Sequence, residues 1–263
     1  MIDVQNLNDE RNIPIEKVGV KNLRYPVTVL DKEHGQQHTV ATVNLFANLP
    51  HHYKGTHMSR FIEVFNQHYT EIQMPTFLTM LEEIRVALEA ETAYGEIHFP
   101  YFLQKAAPVS GQRGMMSYSC WFIGERGVHA KRFVVGVEVP VTTLCPCSKE
   151  ISARGAHNQR GIVRVQLQLG PFFWIEDIIA IVESAASSGL YTLLKREDER
   201  FVTERAYDHP VFVEDLVRDV SVGIEQLDSF PWFSVEAENM ESIHNHNAYA
   251  YVERGEKQWQ SNG

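Results

Sequence analysis

The alternation of apolar and polar residues along this chain predicts the same order of strands and helices twice. Apolar and β-branched residues alternate with polar ones in the strand segments, whereas in the helical segments apolar residues recur every three to four positions. In the first half, we predict strands at 18–30 and 39–49, helices at 58–69 and 75–94, and strands at 95–108 and 114–123.

The second half repeats that order. Here we predict strands at 128–141 and 161–169, helices at 174–187 and 210–227, and strands at 233–241 and 247–253. A duplication of about 120 residues is too long for the repeat unit of a solenoid and indicates tandem domains. The sequence therefore predicts an α+β fold with two ββααββ modules, at residues 1–126 and 127–263.

Composition narrows the function classes. The net charge of −10 argues against a general nucleic-acid binder, which would carry a basic face, but a local pocket can still hold an anionic ligand. No apolar run approaches the roughly 20 residues that span a bilayer, so we expect no membrane partner. The polar segment 1–17 has no signal-peptide core, and three cysteines cannot all pair, so we expect a reduced, cytoplasmic protein.

The segment 142–160, between two predicted strands, concentrates reactive side chains. It contains Cys145, Cys147 and His157, and a loop of that length in a compact domain is usually functional. Thiolates beside an imidazole serve either a zinc-type ion or a cysteine nucleophile with its base. The four-cysteine spacing of a closed structural zinc site is absent, so a metal site here would be of the catalytic kind, with an open position.

Further ligands would have to come from other segments, and each of these also has an ordinary structural explanation. The segment 241–247 contains Glu241 and His244, but taken alone it is better explained as a polar turn. The charge run 195–200 contains Glu199 and is typical of a solvated face, while Glu214 lies among apolar residues at the start of a predicted helix. Four histidines in the first half are best explained as a solvated loop and a helix start: His51, His52, His57 and His68.

Together these segments resemble GTP cyclohydrolase of type IB, the prokaryotic enzyme of folate and pterin biosynthesis. The resemblance runs through most of the chain, and its first motif is highly specific. The motifs that carry it are 139–152, 155–160 and 195–204, with 55–60 and 241–247 in support.

The resemblance implies the tunnelling fold, with two tandem modules in each subunit. In such a module an antiparallel four-stranded sheet carries two helices on one face, which is the order predicted twice above. It also implies a homotetramer with active sites at subunit interfaces.

The resemblance further implies a reaction and a site. GTP and water would give 7,8-dihydroneopterin triphosphate and formate, with a divalent zinc, manganese or iron(II) ion. The implied metal ligands are Cys145, His157, Glu199 and His244. Cys147 and Glu241 would join Cys145, His157 and His244 as catalytic residues, and Glu214 would anchor the guanine. Candidate cations for the triphosphate are Lys149, Arg154, Lys195, Arg196 and Arg200.

Two alternatives stay open at the level of the sequence. One is another tunnelling-fold enzyme acting on a pterin or deazapurine, such as the nitrile reductase of the queuosine pathway, although we find no counterpart of its nicotinamide motif. The other is a non-catalytic binding protein stabilised by a metal whose open position is filled.

Overall fold

The computed structural model describes residues 5, 9–51, 53–168 and 170–261. The chain divides into two compact units. The first contains the described residues within 1–100, 121–135 and 258–263, and the second those within 101–120 and 136–257. Three long strands, β3 (Thr92–Ala106), β4 (Arg113–Gly127) and β5 (Ala130–Leu144), contribute residues to both units.

The first unit is built on an antiparallel hairpin of β1 (Ile15–Asp31) and β2 (Gly35–Leu49). β2 also pairs with β3, from Thr42 opposite His98 to Ala47 opposite Ala93. The short strand β10 (Gln260–Ser261) pairs with the first residues of β5. Apolar residues alternate along these strands, so one face of the sheet is available to helices.

Helices α1 (Met58–His68) and α2 (Met74–Ala87) pack their apolar residues in the core of the first unit. Gly95 and Gly124 allow α2 to approach the strands closely, because a Cβ atom at either position would lie 2.7 or 2.5 Å from the ring of Phe77. Phe77 is fully buried there, and its ring packs edge-on against Phe133.

The second unit has an antiparallel meander of its own. β6 (Asn158–Gln168) pairs with β8 (Trp232–Asn239), and β8 pairs with β9 (Ala248–Gly255). The short β7 (Ser188–Gly189) adds to the end of β5. The helices of this unit are α3 (Pro146–Ile151), α4 (Ile175–Ala185), α5 (Arg196–Asp208) and α6 (Val213–Leu227).

The core of the second unit forms between strands and helices. Side chains from β6, α4 and α6 are almost fully buried: Val163, Val165, Leu167, Ile178, Val182, Leu216, Val220 and Ile224. On β6 these residues alternate, and on α4 and α6 they follow helical spacing, as the sequence pattern predicts.

These elements confirm the predicted α+β class with antiparallel pairing. The predicted helix at 75–94 was wrong at its end, because α2 stops at Ala87 and Glu89 adopts a left-handed φ of 53° before β3 begins at Thr92. Neither α3 nor α5 was predicted. Leu169, the last residue of one predicted strand, lies outside the described residues, and the module boundary between 126 and 127 stays a prediction.

No helix in the described part of the chain is long and apolar enough to cross a membrane.

Candidate active site

The loop between β5 and β6 is closed by a backbone hydrogen bond. The N–H of Cys145 donates to the carbonyl oxygen of His157 at 3.1 Å. Ser148 ties the same two residues together, since its hydroxyl donates to the Cys145 carbonyl at 3.1 Å and accepts from the His157 N–H at 3.2 Å. These backbone contacts therefore bring Cys145 and His157 together where β5 ends and β6 begins.

Cys145 is also the N-cap of α3. Its sulfur accepts a hydrogen bond from the Ser148 N–H at 3.4 Å, and Pro146 occupies the first helical turn, where a missing N–H costs nothing. Cys145 is half-buried, whereas Cys147, inside α3, is exposed.

Two further segments hold the residue before Cys145. The Leu144 N–H donates to the Ser187 hydroxyl at 3.0 Å, and the Leu144 carbonyl accepts from the Val211 N–H at 3.1 Å. Ser187 is fully buried and leads directly into β7. The backbone at the start of the cysteine loop is thus held by hydrogen bonds to two other segments of the chain.

A buried amide links His157 to Glu241. Nδ1 of His157 lies 3.1 Å from Oε1 of Gln159, and the amide nitrogen of Gln159 donates to Oε1 of Glu241 at 3.3 Å and to the Thr143 hydroxyl at 3.1 Å. Oε2 of Glu241 lies 3.8 Å from Nδ1 of His157. Gln159 is only 8% exposed and Thr143 is fully buried, so this network is largely shielded from solvent.

The other predicted site residues lie on exposed positions of neighbouring elements. Glu199 is in the first turn of α5 and Glu214 in the first turn of α6. His244 lies between β8 and β9, with its ring stacked on that of His246 at a centroid distance of 5.0 Å. All three are exposed in the chain by itself.

The structure of one chain does not assemble the predicted metal shell. Within the described residues, no three His, Cys, Asp or Glu side chains are grouped closely enough to hold a metal ion. The backbone joins Cys145 to His157, and the Gln159 amide joins His157 to Glu241. The ligand set that includes Glu199 and His244 stays a prediction.

The charge run 195–200 contains a buried anchor as well as solvated residues. The carboxylate of Asp198 is fully buried and accepts hydrogen bonds from the N–H groups of Val109, Ser110 and Lys195 and from the Ser110 hydroxyl. Burial alone would raise the pKa of Asp198, but these hydrogen bonds outweigh it and hold that pKa well below its usual range. Asp198 thereby fixes the start of α5, one residue before Glu199.

Two candidate cations for the triphosphate have protein partners. The ammonium of Lys149 donates to the Tyr207 carbonyl and lies 4.3 Å from the centroid of the Tyr207 ring. Arg200 forms a 2.8 Å ion pair with Glu204 on the same exposed helix face. Lys149 therefore ties α3 to the end of α5.

The histidines of the first unit are spread over several elements. His51 is exposed, His57 is the N-cap of α1, and His68 at the end of α1 lies 2.7 Å from Glu83. His52 lies outside the described residues.

Comparison with known proteins gives the family. The model of the family described as type I GTP cyclohydrolase folE2 matches residues 1–250. This chain belongs to that family.

Relatives within the family are similar over nearly the whole chain. GTP cyclohydrolase FolE2 of Syntrophus aciditrophicus is 58% identical over 254 residues, which are 97% of this chain and all of that protein. GTP cyclohydrolase FolE2 of Syntrophotalea carbinolica is 54% identical over 253 residues, 96% of this chain and 95% of that one.

The fold of this chain is also found in solved structures of proteins that are not GTP cyclohydrolases. Uricase from Arthrobacter globiformis matches with a TM-score of 0.51 at 7% identity, over 94% of this chain and 96% of the uricase. At that identity the likeness concerns the fold alone. Because urate oxidase has the tunnelling fold, the predicted tunnelling fold, with antiparallel strands and helices on one face, is confirmed.

Three residues that hold this candidate site in place were not predicted from the sequence: Thr143, Gln159 and Asp198. One signal was present for Gln159, which begins the buried alternation of β6 that continues through Gly161, Val163 and Val165. A polar residue on the buried face of a strand requires partners, and such partners are often functional. Asp198 gave no such signal, because the run around it is charged throughout.

Proposed function

We propose that this chain is a GTP cyclohydrolase, a hydrolase that converts GTP and water into 7,8-dihydroneopterin triphosphate and formate in the first step of folate biosynthesis. The observation that carries the proposal is 58% identity, over 97% of the chain, to a protein named GTP cyclohydrolase FolE2. The thiol, imidazole and carboxylate gathered around the β5–β6 loop support it with groups suited to the chemistry.

The proposal includes a divalent metal ion, which would be zinc, manganese or iron(II). The Cys145 thiol and the His157 imidazole are half-buried, their backbones are joined by a hydrogen bond, and thiol and imidazole are ligand types that suit these ions. Glu199 and His244 would complete the shell in the assembled enzyme, since two donors do not make a site. When bound, such an ion supplies hydroxide at neutral pH by lowering the pKa of its water to roughly 7.

The side chains of this loop and its neighbours would manage the protons of the reaction. Opening the imidazole ring of guanine at C8 requires proton delivery to a ring nitrogen as water adds. Cys147 is exposed on α3 beside Cys145, and Glu241 borders His157, so both can exchange protons with a bound purine. Glu214, with an exposed carboxylate, would accept hydrogen bonds from the N–H edge of guanine.

We further propose that the enzyme acts in the cytoplasm as a homotetramer whose active sites lie at subunit interfaces. Three predicted site residues, Glu199, Glu214 and His244, are exposed in the single chain. Their exposure is compatible with contacts from a second subunit, which would bury them around the substrate.

The deciding experiment is turnover by the purified protein after reconstitution with zinc, manganese or iron(II) in separate samples. We expect GTP to yield one formate for each oxidisable, fluorescent pterin, and metal-free protein to be inactive. ATP is the matched control substrate, since its adenine lacks the edge that Glu214 would bind. GTP binding without turnover under all three metals would instead favour a binding protein and would overturn the proposed activity.

A further inference from the structure

We propose that Gln159 is a positioning residue that fixes the tautomer of His157, with the proton on Nδ1 and the lone pair on Nε2. The role of this tautomer in catalysis rests on the proposed function. The tautomer itself follows from the hydrogen-bond network around Gln159 and is measurable in protein without metal or substrate.

Glu241 sets the donor and acceptor roles in this hydrogen-bond network. An ionised carboxylate only accepts hydrogen bonds, so the atom of the Gln159 amide that lies 3.3 Å from Oε1 of Glu241 must be the NH₂ group. Thr143 does not decide the orientation, because a hydroxyl both donates and accepts. Glu241 therefore sets which way the amide of Gln159 faces.

The amide orientation then decides the proton of the imidazole. With its NH₂ group towards Glu241, Gln159 presents its carbonyl oxygen to Nδ1 of His157 at 3.1 Å. A carbonyl oxygen can only accept, so Nδ1 of a neutral His157 must carry the hydrogen. The second oxygen of Glu241, 3.8 Å from Nδ1, favours the same protonation.

Burial makes this arrangement hard to reverse. Gln159 is 8% exposed and Thr143 is fully buried, so a reversed amide would place its carbonyl against the Glu241 carboxylate with little water to compensate. The His157 backbone is also held, through its N–H and its carbonyl, by Ser148 and Cys145. Among the described residues, the ring therefore has a fixed hydrogen-bonding partner on Nδ1 and none on Nε2.

The consequence is that Nε2 is the reactive nitrogen of His157. In the Nδ1–H tautomer, Nε2 keeps the lone pair with which a histidine binds a metal or accepts a proton. Nδ1 is excluded from either task while Gln159 and Glu241 keep their places. Glu241 thus acts on His157 through Gln159, in addition to any direct part in proton transfer.

The test is a long-range ¹H–¹⁵N spectrum of metal-free protein with ¹⁵N-labelled histidine, recorded at alkaline pH, where imidazoles are neutral. His157 is assigned by its loss in His157→Ala. We expect a protonated-type Nδ1 shift and an unprotonated-type Nε2 shift. A wild-type spectrum showing the Nε2–H tautomer would overturn the proposal.

Three variants separate the positioning role from general packing. Gln159→Leu removes the acceptor, and Glu241→Leu keeps Gln159 but removes the carboxylate that orients its amide. Both should populate the two tautomers. Gln166→Leu, the same change at a half-buried position further along β6, should leave the His157 shifts unchanged. If Gln159→Leu does not fold, Glu241→Leu still provides the test. An unchanged Nδ1–H tautomer in that variant would refute the proposed orientation of the Gln159 amide.

Metal affinity gives a second readout that is independent of turnover. By analogy with other partners of metal-bound histidines, Gln159→Leu should weaken binding of manganese by about 10- to 100-fold. Failure of the cyclohydrolase assay together with the Nδ1–H tautomer would reject the proposed function alone. Turnover of GTP together with the Nε2–H tautomer would reject only the role of Gln159.

Discussion

Cys145 and His157 are joined by a 3.1 Å hydrogen bond from the backbone N–H of the first to the backbone carbonyl of the second. The bond closes the loop that contains α3, so the two residues keep a fixed separation whatever the rest of that loop does. Such preorganisation matters for a metal or proton-transfer site, where misplacement of about 1 Å costs a large part of the rate.

Replacing the two cysteines of this loop should have different effects on metal content and activity. Loss of a residue that supports a metal ligand typically weakens metal binding by about 10- to 100-fold. Cys145→Ala removes a proposed ligand itself, so metal affinity should fall by more than this, and activity should fall with it. Cys147→Ala should retain the metal and lower kcat by about 100-fold or more, since it removes a proton-transfer group. Metal content by mass spectrometry and formate release measure the two effects. Full metal retention in Cys145→Ala would remove it from the ligand set.

Glu214 should affect substrate binding and not the metal. Hydrogen bonds to a charged group contribute about 1.5 to 3 kcal/mol, so Glu214→Ala should weaken GTP binding by about 10- to 150-fold with unchanged metal content. Asp215→Ala is the matched control, because Asp215 is the next residue and pairs with Arg218 on the same helix at 2.8 Å. Equilibrium binding of a non-hydrolysable GTP analogue reports the change. Equal affinities for the two variants would exclude the guanine-anchor role.

Substitution of Glu199 should affect metal affinity, whereas substitution of Glu197, in the same first turn of α5, should not. Both carboxylates are exposed and acidic at the same helix end, so they share the favourable interaction with the helix dipole. Glu199→Gln should lower metal affinity by about 10-fold or more, whereas Glu197→Gln should leave it unchanged. Titration of the metal-free variants with manganese compares them. A loss of equal size in both would point to general electrostatics.

The sequence predicted the strand at β6, because its alternation of apolar and polar residues depends only on residues close together in the chain. The end of α2 was misplaced, since apolar spacing continues past Ala87 while the backbone turns left-handed at Glu89. α5 was missed because Asp198 finds its partners at Val109 and Ser110, which lie far away in sequence.

The candidate site likewise combines local features with contacts between distant segments. Residue types and motifs pointed to Cys145 and His157, and the structure joins them through their backbone. The polarity of the Gln159 amide was not predictable, because it depends on Glu241, which reaches it only after β6 and β8 have paired.

The first hairpin should show a measurable acid sensitivity through Asp31. Its buried carboxylate accepts hydrogen bonds from the N–H groups of Glu33 and His34 and from the Gln37 amide. Burial alone would raise the pKa of Asp31, but the hydrogen bonds, led by that from the His34 N–H, lower it below its usual value. The folded state therefore holds this proton less tightly than the unfolded state, whose pKa is about 3.9.

It follows that the stabilisation from Asp31 is fully present above about pH 4 and is lost as the pH falls through the lower folded-state pKa. Asp31→Asn should lower Tm at pH 7 by a few degrees, corresponding to roughly 1 to 2 kcal/mol. The difference from wild type should shrink on acidification. Calorimetry of both proteins between pH 7 and pH 3 tests this, and a constant difference over that range would show that the carboxylate charge is not responsible.

The half-buried ion pair of Lys105 and Glu183 should behave as a coupled unit. The Lys105 ammonium lies 2.6 Å from a Glu183 oxygen, donates to the Leu190 carbonyl, and is stacked over the Tyr191 ring at 4.2 Å. The other Glu183 oxygen accepts from the Tyr118 hydroxyl at 3.1 Å. Burial lowers the pKa of Lys105, and the Glu183 charge opposes that shift. Each charge therefore depends on its partner.

Removing one partner should therefore lower the free energy of unfolding by more than the intact pair contributes to it. Lys105→Met leaves a partly buried carboxylate without its cation and should destabilise the protein by about 3 kcal/mol. Glu183→Gln keeps an acceptor for Tyr118 but leaves the ammonium without an anion. The double variant should lose less than the sum of the two single changes, with a coupling of about 1 to 3 kcal/mol measured by urea unfolding. Strict additivity would mean that the two charges are already screened by water, and the pair would then contribute little to folding.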